Sequence, residues 1–508
     1  MTRGSLVYAG VFLVAGIAAG RPAQGVPAAC ESLAALHLPQ VRIVLAQPID
    51  PHPVWPYPAS LFTGRLPPGA GVEVPFCRVA AVIEREIHVE VWLPQEWSGR
   101  FEGVGNGGFT GAINYPAMGA ALAAGNAAAS TDTGHKTEKG FFQSDWIAGH
   151  PQRVLDFGYR AHHLMAMAAK QIVAAYYGRP AHHNYYAGCS SGGWQGLTEA
   201  QKFPADYDGI VAGAPAINLV RLQSRPVILE QLAQRAPAGN LSPAKALLLV
   251  KAAVKRCDAD DGVTDGLISD PEACRFDPRE LLCTGADSDA CLTAPQVERA
   301  RRSYGPMRSK GGLSLYPGPA YGAYPYAQLP GPPPSPTAMP AIALMLRTPP
   351  LWTVATFDPD RDIPPMEREL GDSLDAMNAD LRPFAEHGGK LILYHGLTDA
   401  LLSSYNTVDY FDRVHAAMGA AAADGFSRLY LVPGMGHCEG GPGPDHFDAL
   451  AAVEAWVEQD SAPQDLIASH LHDGVADRTR TLCPYPKVAA YTGSGDSDRA
   501  ENFHCRAQ

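Results

Sequence analysis

Basic residues are scarce in this chain of 508 residues: 40 lysines and arginines stand against 52 aspartates and glutamates, for a formal net charge of −12. No run of Lys or Arg occurs. Neutralising a phosphate backbone or an anionic bilayer takes such a patch, so nucleic acid and membrane surfaces are poor partners. Long apolar runs are missing too, apart from Leu6 to Ala19, which follows Arg3 and leads through Gly20 and Arg21 into the small residues Pro22 to Ala29. That run is shorter than the roughly 18 residues a membrane helix needs. Its layout is that of a signal peptide, assigned to residues 1–25 and removed on export. Losing Arg3 and Arg21 takes the net charge from −12 to −14. Cys30 is a poor lipoprotein site, because Pro27 stands where an aliphatic residue is usual. The expectation is a soluble secreted or periplasmic protein with no membrane partner once the leader is gone. The histidines ahead of the elbow described below also lack the flanking Cys, Asp or Glu pattern of a transition-metal site. His162, His163, His182 and His183 therefore read as core or surface residues.

Cysteine, in contrast, is present ten times, an even number behind an export signal, which implies a disulfide framework. Cys257 and Cys274, Cys283 and Cys291, and Cys483 and Cys505 are neighbours that could each close a local loop. Cys30 and Cys77 form an early pair, and Cys189 and Cys438 remain. Spacing alone does not settle the connectivity.

The chain is organised around Tyr185-Tyr186-Ala187-Gly188-Cys189-Ser190-Ser191-Gly192-Gly193-Trp194. Gly188-x-Ser190-x-Gly192 is a nucleophile-elbow pattern, a strand turning sharply into a helix with the serine exposed at the turn. A strand-like segment precedes it (184–187), a helix-compatible one follows (194–202), and a small-residue strand comes next (209–213). Cys189 touches the candidate nucleophile and Cys438 touches His437. A bond between the two cysteines would draw Ser190 and His437 within reach of each other. Upstream, the strand-like residues 87–94 and 101–104 lead into Gly105-Asn106-Gly107-Gly108-Phe109, either an ordinary glycine turn or a loop whose N–H groups face a ligand. Asp399 follows the buried-type strand 390–394. It suits a triad acid, lying between Ser and His in chain order, and equally a turn aspartate capping the next helix. His135 precedes the nucleophile, out of order for a triad base, and reads as structural. His446 lacks an adjacent cysteine.

Between Ala216 and Lys390 the alternation of strand and helix breaks off for about 170 residues, too long for a connection and long enough for a lid. Ser242-Pro243 opens a helix to about residue 256, and a second spans 295–304. Prolines and glycines dominate 316–340. Asp258, Asp261 and Asp265 lie in a turning segment that fits an oxygen cage for Ca2+, or an acidic solvated turn equally well. It is not an EF-hand, because the glycine falls one place early and position 12 is not Glu.

Gly-Cys-Ser-Ser-Gly-Gly with a later Tyr-His-Gly-x-x-Asp and His-Cys resembles the tannase and feruloyl esterase family, which includes bacterial mono(2-hydroxyethyl) terephthalate hydrolases. The resemblance runs over nearly the whole mature chain. It implies an α/β-hydrolase fold with a large inserted lid domain, the catalytic domain being 26–216 and 387–508 and the lid 217–386. It implies the five disulfides Cys30–Cys77, Cys189–Cys438, Cys257–Cys274, Cys283–Cys291 and Cys483–Cys505. It assigns Ser190, Asp399 and His437 as a triad and the backbones of Gly108 and Ser191 as the oxyanion hole. It also places a structural Ca2+ in the lid on the side chains of Asp258, Asp261 and Asp265 and the carbonyls of Val263 and Leu267. No organic cofactor is expected. The implied substrates are small aromatic esters, or phenolic esters of plant polymers, with feruloyl, galloyl and terephthaloyl groups all open. Phe109 and Leu402 are candidate pocket walls, and Arg347 and Trp352 candidate lid contacts to the acid. An acyltransferase on the same triad, or a non-catalytic phenolic- or carbohydrate-binding protein on this scaffold, are the other readings.

Overall fold

A computed structural model describes residues 27–51, 72–137, 145–147, 149–325 and 354–507. The leader, Arg347 and Trp352 lie outside the described residues. Fifteen strands are described: β1 (Val41–Ile49), β2 (Phe76–Ile83), β3 (Ile87–Pro94), β4 (Arg100–Val104), β5 (Ala127–Thr131), β6 (His183–Cys189), β7 (Gly209–Gly213), β8 (Met307–Arg308), β9 (Ser314–Tyr316), β10 (Lys390–Gly396), β11 (Ser427–Val432), β12 (Leu466–His472), β13 (Val475–Leu482), β14 (Lys487–Tyr491) and β15 (Phe503–Ala507).

Nine of them form one sheet in the order β1-β2-β3-β5-β4-β6-β7-β10-β11. The β1, β2, β3 and β5 pairings are antiparallel, and every pairing from β5 through β4 to β11 is parallel. The class is α/β with a mostly parallel central sheet. Parallel strands are covered on both faces by their crossover helices, which explains why β5 and β7 are buried at every position. β1 is different: it is half-exposed along its length, as an edge strand should be.

Helices begin and end on local chemistry. Asn114 caps Tyr115–Ala123 by accepting the Ala117 N–H at 3.3 Å. Ser242 caps Pro243–Cys257 through the Lys245 N–H at 3.2 Å. The helix Ala161–Tyr177, preceded by a π-turn at Asp156–Arg160, stops at Gly178 with φ 71°. The inserted segment between β7 and β10 carries a small core of its own around Leu249, Phe276, Leu292 and Val297. Its helices Leu219–Arg235 and Pro359–Leu374 instead join the main core through Leu222, Val227, Ile363 and Leu370.

All five cysteine pairs named above are bonded. The carboxyl-terminal extension is two hairpins, β12–β13 and β14–β15.

One core position is electrostatically costly. Glu102 on β4 is 4% exposed and accepts from Asn126 Nδ2 at 3.1 Å. Burial, together with the charges of Glu454 and Asp448, outweighs that hydrogen bond and pushes its carboxyl up to about 7. Unfolded, the group loses its proton near its ordinary value of 4.5. Between those two values the folded chain holds a proton that the unfolded chain does not. Stability should therefore fall as pH rises through that window, by roughly 3 kcal/mol from this group. Glu102→Gln should remove that part of the fall, raising Tm at pH 8 while changing it little at pH 4. Equal shifts at both pH values would count against the assignment.

Candidate active site

The carboxyl ends of β6, β10 and β11 lie close together along the sheet, the edge where ligands of open α/β sheets bind. Ser190 stands between β6 and the helix Ser191–Lys202 with φ 64° and ψ −121°, outside the regions an L-residue normally occupies. Ser190 N–H donates to Gly213 O on the neighbouring strand at 2.9 Å, and its carbonyl accepts from Trp194 N–H at 3.0 Å. The turn needs its two glycines. A Cβ on Gly188 would lie 2.6 Å from the Gly192 carbonyl carbon, and one on Gly192 would lie 2.9 Å from Asn106 O.

Asp399 sits three residues beyond β10 and His437 five beyond β11. His437 Nε2 is 2.9 Å from Ser190 Oγ, and His437 Nδ1 is 2.6 Å from Asp399 Oδ2. Asp399 Oδ1 accepts the N–H groups of Leu401 and Leu402 at 2.8 and 2.9 Å. Burial pushes the Asp399 carboxyl up. The charge of His437 and the hydrogen bonds from His395 and His437 more than offset this and hold it well below the usual carboxylate range. Cys189 and Cys438 are bonded with their Cα atoms 5.9 Å apart, so the neighbours of Ser190 and His437 share a covalent link.

The glycine loop is tied to the turn from several sides. Ser191 Oγ donates to Gly108 O at 2.8 Å, and Asn106 N–H donates to Gln195 Oε1 at 3.0 Å. Asn106 Nδ2 donates to the carbonyls of Ala112 and Thr131, while His162 Nε2 donates to Asn106 Oδ1 at 2.9 Å. His162 is wholly buried, and burial pushes its imidazole down to about 3, so it is neutral. The Ser191 N–H lies in the first turn of its helix, where no intrahelical carbonyl reaches it.

His135 is away from this arrangement. It donates to the Phe109 carbonyl at 2.9 Å and stacks on Trp146 at 3.6 Å; burial lowers its imidazole to about 4. His446 pairs with Asp445 and bridges to Ser469. Phe109 and Leu402 are packed in the main core, 2% and 5% exposed, rather than set on an open wall. The sequence assigns no role to Asn106 or Gln195, and reads His162 only as a core or surface residue; it is a core one. Asn106 lies inside the glycine loop, but nothing local marks an amide whose partners are 6 to 89 residues away.

In the insertion, Asp258 Oδ1 accepts the N–H groups of Asp265 and Gly266, Asp261 Oδ1 accepts that of Val263, and Asp265 Oδ1 accepts that of Leu267. Arg480 donates to Asp265 Oδ2 and lies over the Phe503 ring. Asp261 Oδ2 is buried with no hydrogen-bond partner. Burial pushes the carboxyls of Asp261 and Asp265 up. Among the described residues, ligand atoms from three metal-binding side chains converge at Cys283–Asp287–Cys291 and at His163–Glu199–Asp206. The first is closed by its disulfide.

The family described as tannase and feruloyl esterase matches residues 72–328 and 352–506. An esterase of Xanthomonas campestris is 36% identical over 94% of this chain and 91% of its own length. The mono(2-hydroxyethyl) terephthalate hydrolase of Piscinibacter sakaiensis is 36% identical over 83% of this chain and 82% of its own. The crystal structure of feruloyl esterase B from Aspergillus oryzae superposes with a TM-score of 0.83 at 29% identity, covering 94% of this chain and 99% of that one. These relatives are carboxylic ester hydrolases, and this chain is one as well. It belongs to the tannase and feruloyl esterase family.

Proposed function

We propose that the protein is an exported serine esterase of the α/β-hydrolase type that cleaves small aromatic carboxylic esters through an acyl-serine intermediate. The observation that carries this reading is the hydrogen-bonded series Ser190 Oγ, His437 Nε2, His437 Nδ1, Asp399 Oδ2 at 2.9 and 2.6 Å, seated at the carboxyl edge of the sheet. Ser190 Oγ attacks the ester carbonyl while His437 Nε2 takes its proton. Asp399, kept ionised, holds the Nδ1–H tautomer and stabilises the imidazolium. The oxyanion is received by the N–H groups of Gly108 and Ser191. His437 then returns the proton to the leaving alcohol. A water activated by the same nitrogen releases the acid.

The insertion, residues 217–386, serves as a lid over this edge. Substrate class follows the relatives, whose names specify feruloyl and terephthaloyl esters. The test is turnover on methyl ferulate, methyl gallate and mono(2-hydroxyethyl) terephthalate, with products identified in the presence of excess alcohol. Free acid from at least one is expected. Absence of turnover on all three, or ester as the main product, would overturn the reading.

A structural Ca2+ in the insertion fits the residues present. Three carboxylates (Asp258, Asp261 and Asp265) lie in one short segment, that of Asp265 is ion-paired with Arg480, and one buried oxygen of Asp261 accepts no hydrogen bond. One Ca2+ would offset carboxylate charge in this segment. The carbonyls of Val263 and Leu267 would complete the oxygen set. The ion would supply stability and no chemistry, since no triad residue is among its ligands. Excess EGTA should lower Tm by several degrees while leaving activity below the transition nearly unchanged. An unchanged Tm, with metal loss confirmed by elemental analysis, would refute it.

A further inference from the structure

The imidazole of His395, at the end of β10, is fully buried and reaches the same Asp399 oxygen as His437. Its Nε2 is 3.2 Å from Asp399 Oδ2 and 3.1 Å from the Leu402 carbonyl, and its Nδ1 is 2.8 Å from Thr407 Oγ1. Thr407, on the helix Ser404–Met418, is fully buried as well.

Two acceptors face Nε2 and neither can donate, so the ring proton resides there. Nδ1 then accepts from the Thr407 hydroxyl. Asp399 Oδ2 thus receives two N–H donors, one from His437 and one from His395, while Oδ1 receives the two backbone N–H groups. Every one of these donors favours the carboxylate over the acid.

We infer that His395 is a positioning residue for the reaction. It anchors Oδ2 and, through the Leu402 carbonyl, the backbone turn that anchors Oδ1, so that the carboxylate cannot rotate away from His437 Nδ1. This rests on the proposed triad. Loss of the Nε2–H would leave the hold on Oδ2 to His437, and the Leu402 carbonyl and Thr407 hydroxyl buried without the imidazole they share. A misplacement of the acid by a fraction of an ångström passes directly to His437.

The experiment compares His395→Met with His395→Gln, whose side-chain amide nitrogen reaches about as far as Nε2. Rates are normalised to active sites titrated to completion with a fluorophosphonate. H395M should lower kcat roughly tenfold to a hundredfold with KM within about threefold. H395Q should restore kcat to within a few-fold of wild type. A role limited to filling the core would lower Tm in H395M and leave kcat per titrated site unchanged. That result, or a Gln variant no better than Met, would overturn the inference. If H395M fails to fold, the nearly isosteric Thr407→Val, which removes the hydroxyl fixing the tautomer, takes its place. At least a threefold fall in kcat is expected of it, and an unchanged kcat counts against. Ser190→Ala and His437→Ala run alongside: turnover surviving in those would overturn the triad itself, a separate failure.

Discussion

Ser190→Ala should fold and export as the parent does and lose about 10⁴- to 10⁶-fold in kcat, the range seen when a nucleophile is removed from a serine hydrolase. The side chain lost is small, and the backbone hydrogen bonds that hold the turn, to Gly213 and from Trp194, involve no Oγ. Binding of substrate should survive, so KM or the dissociation constant of a non-cleavable analogue should stay within a few-fold. The check is steady-state kinetics with peptide mapping of fluorophosphonate-labelled wild type. Label on Ser191 in place of Ser190, or substantial turnover in the variant, would show the elbow to be misread. Ser191 is poorly placed for such chemistry, because its hydroxyl is buried and donates to Gly108 O.

The second large effect belongs to the bond between Cys189 and Cys438. Changing both to Ala should leave a folded protein, since four other bridges remain, with kcat reduced roughly a hundredfold and KM little altered. The reasoning separates stability from geometry. Closing a loop of 249 residues removes roughly 5 kcal/mol of unfolded-state entropy, a penalty spread over the whole chain. The catalytic penalty is local: His437 is delivered by a loop with glycines at 434, 436, 440 and 441, and Cys438 itself is held at φ 67°. Without the bridge that loop keeps its backbone hydrogen bonds (Gly436 to Gly440 and Gly443 to Gly434), the Thr398 bonds to the Met435 carbonyl, the Gly440–Asp445 bond and the His437–Asp399 contact, but loses its covalent tie to the turn that carries Ser190. Non-reducing peptide mapping of the wild type, beside circular dichroism and kinetics of the variant, decides the matter. Wild-type turnover in the bridge-less form would sink it.

Much of the site could be read from residues because its parts obey short-range rules. Gly188 and Gly192 announce a place where strand and helix backbones meet, Ser242-Pro243 starts a helix, and Asp399 falls just past a strand of buried type. Other parts obey no such rule. β1 went unrecognised, since its half-exposed pattern and Pro48 give no clean alternation. The hairpin β12–β13 mixes buried, half-buried and exposed positions, again without a sustained alternation. Helices Leu219–Arg235 and Pro359–Leu374 carry internal prolines, at 226 and at 364 and 365, yet pack into the main core. The boundary drawn at 216 and 387 follows the break in alternation, whereas packing continues across it. Asn106, His162 and Gln195 hold the glycine loop through contacts far apart in sequence, and Glu102 is an ordinary-looking strand residue until its burial is known.

The Cys189–Cys438 bond closes a covalent ring that contains the entire insertion. A peptide cut anywhere inside that ring cannot separate the two halves of the protein, which stay joined beside the nucleophile and its base. Such a nicked molecule migrates as one species until reduced and as two afterwards. The insertion can also lengthen, shorten or be exchanged for another while the atoms that do the chemistry keep a connection independent of it. With the insertion in its proposed role as a lid, substrate choice and catalytic alignment fall on separate parts of the chain, free to change at different rates.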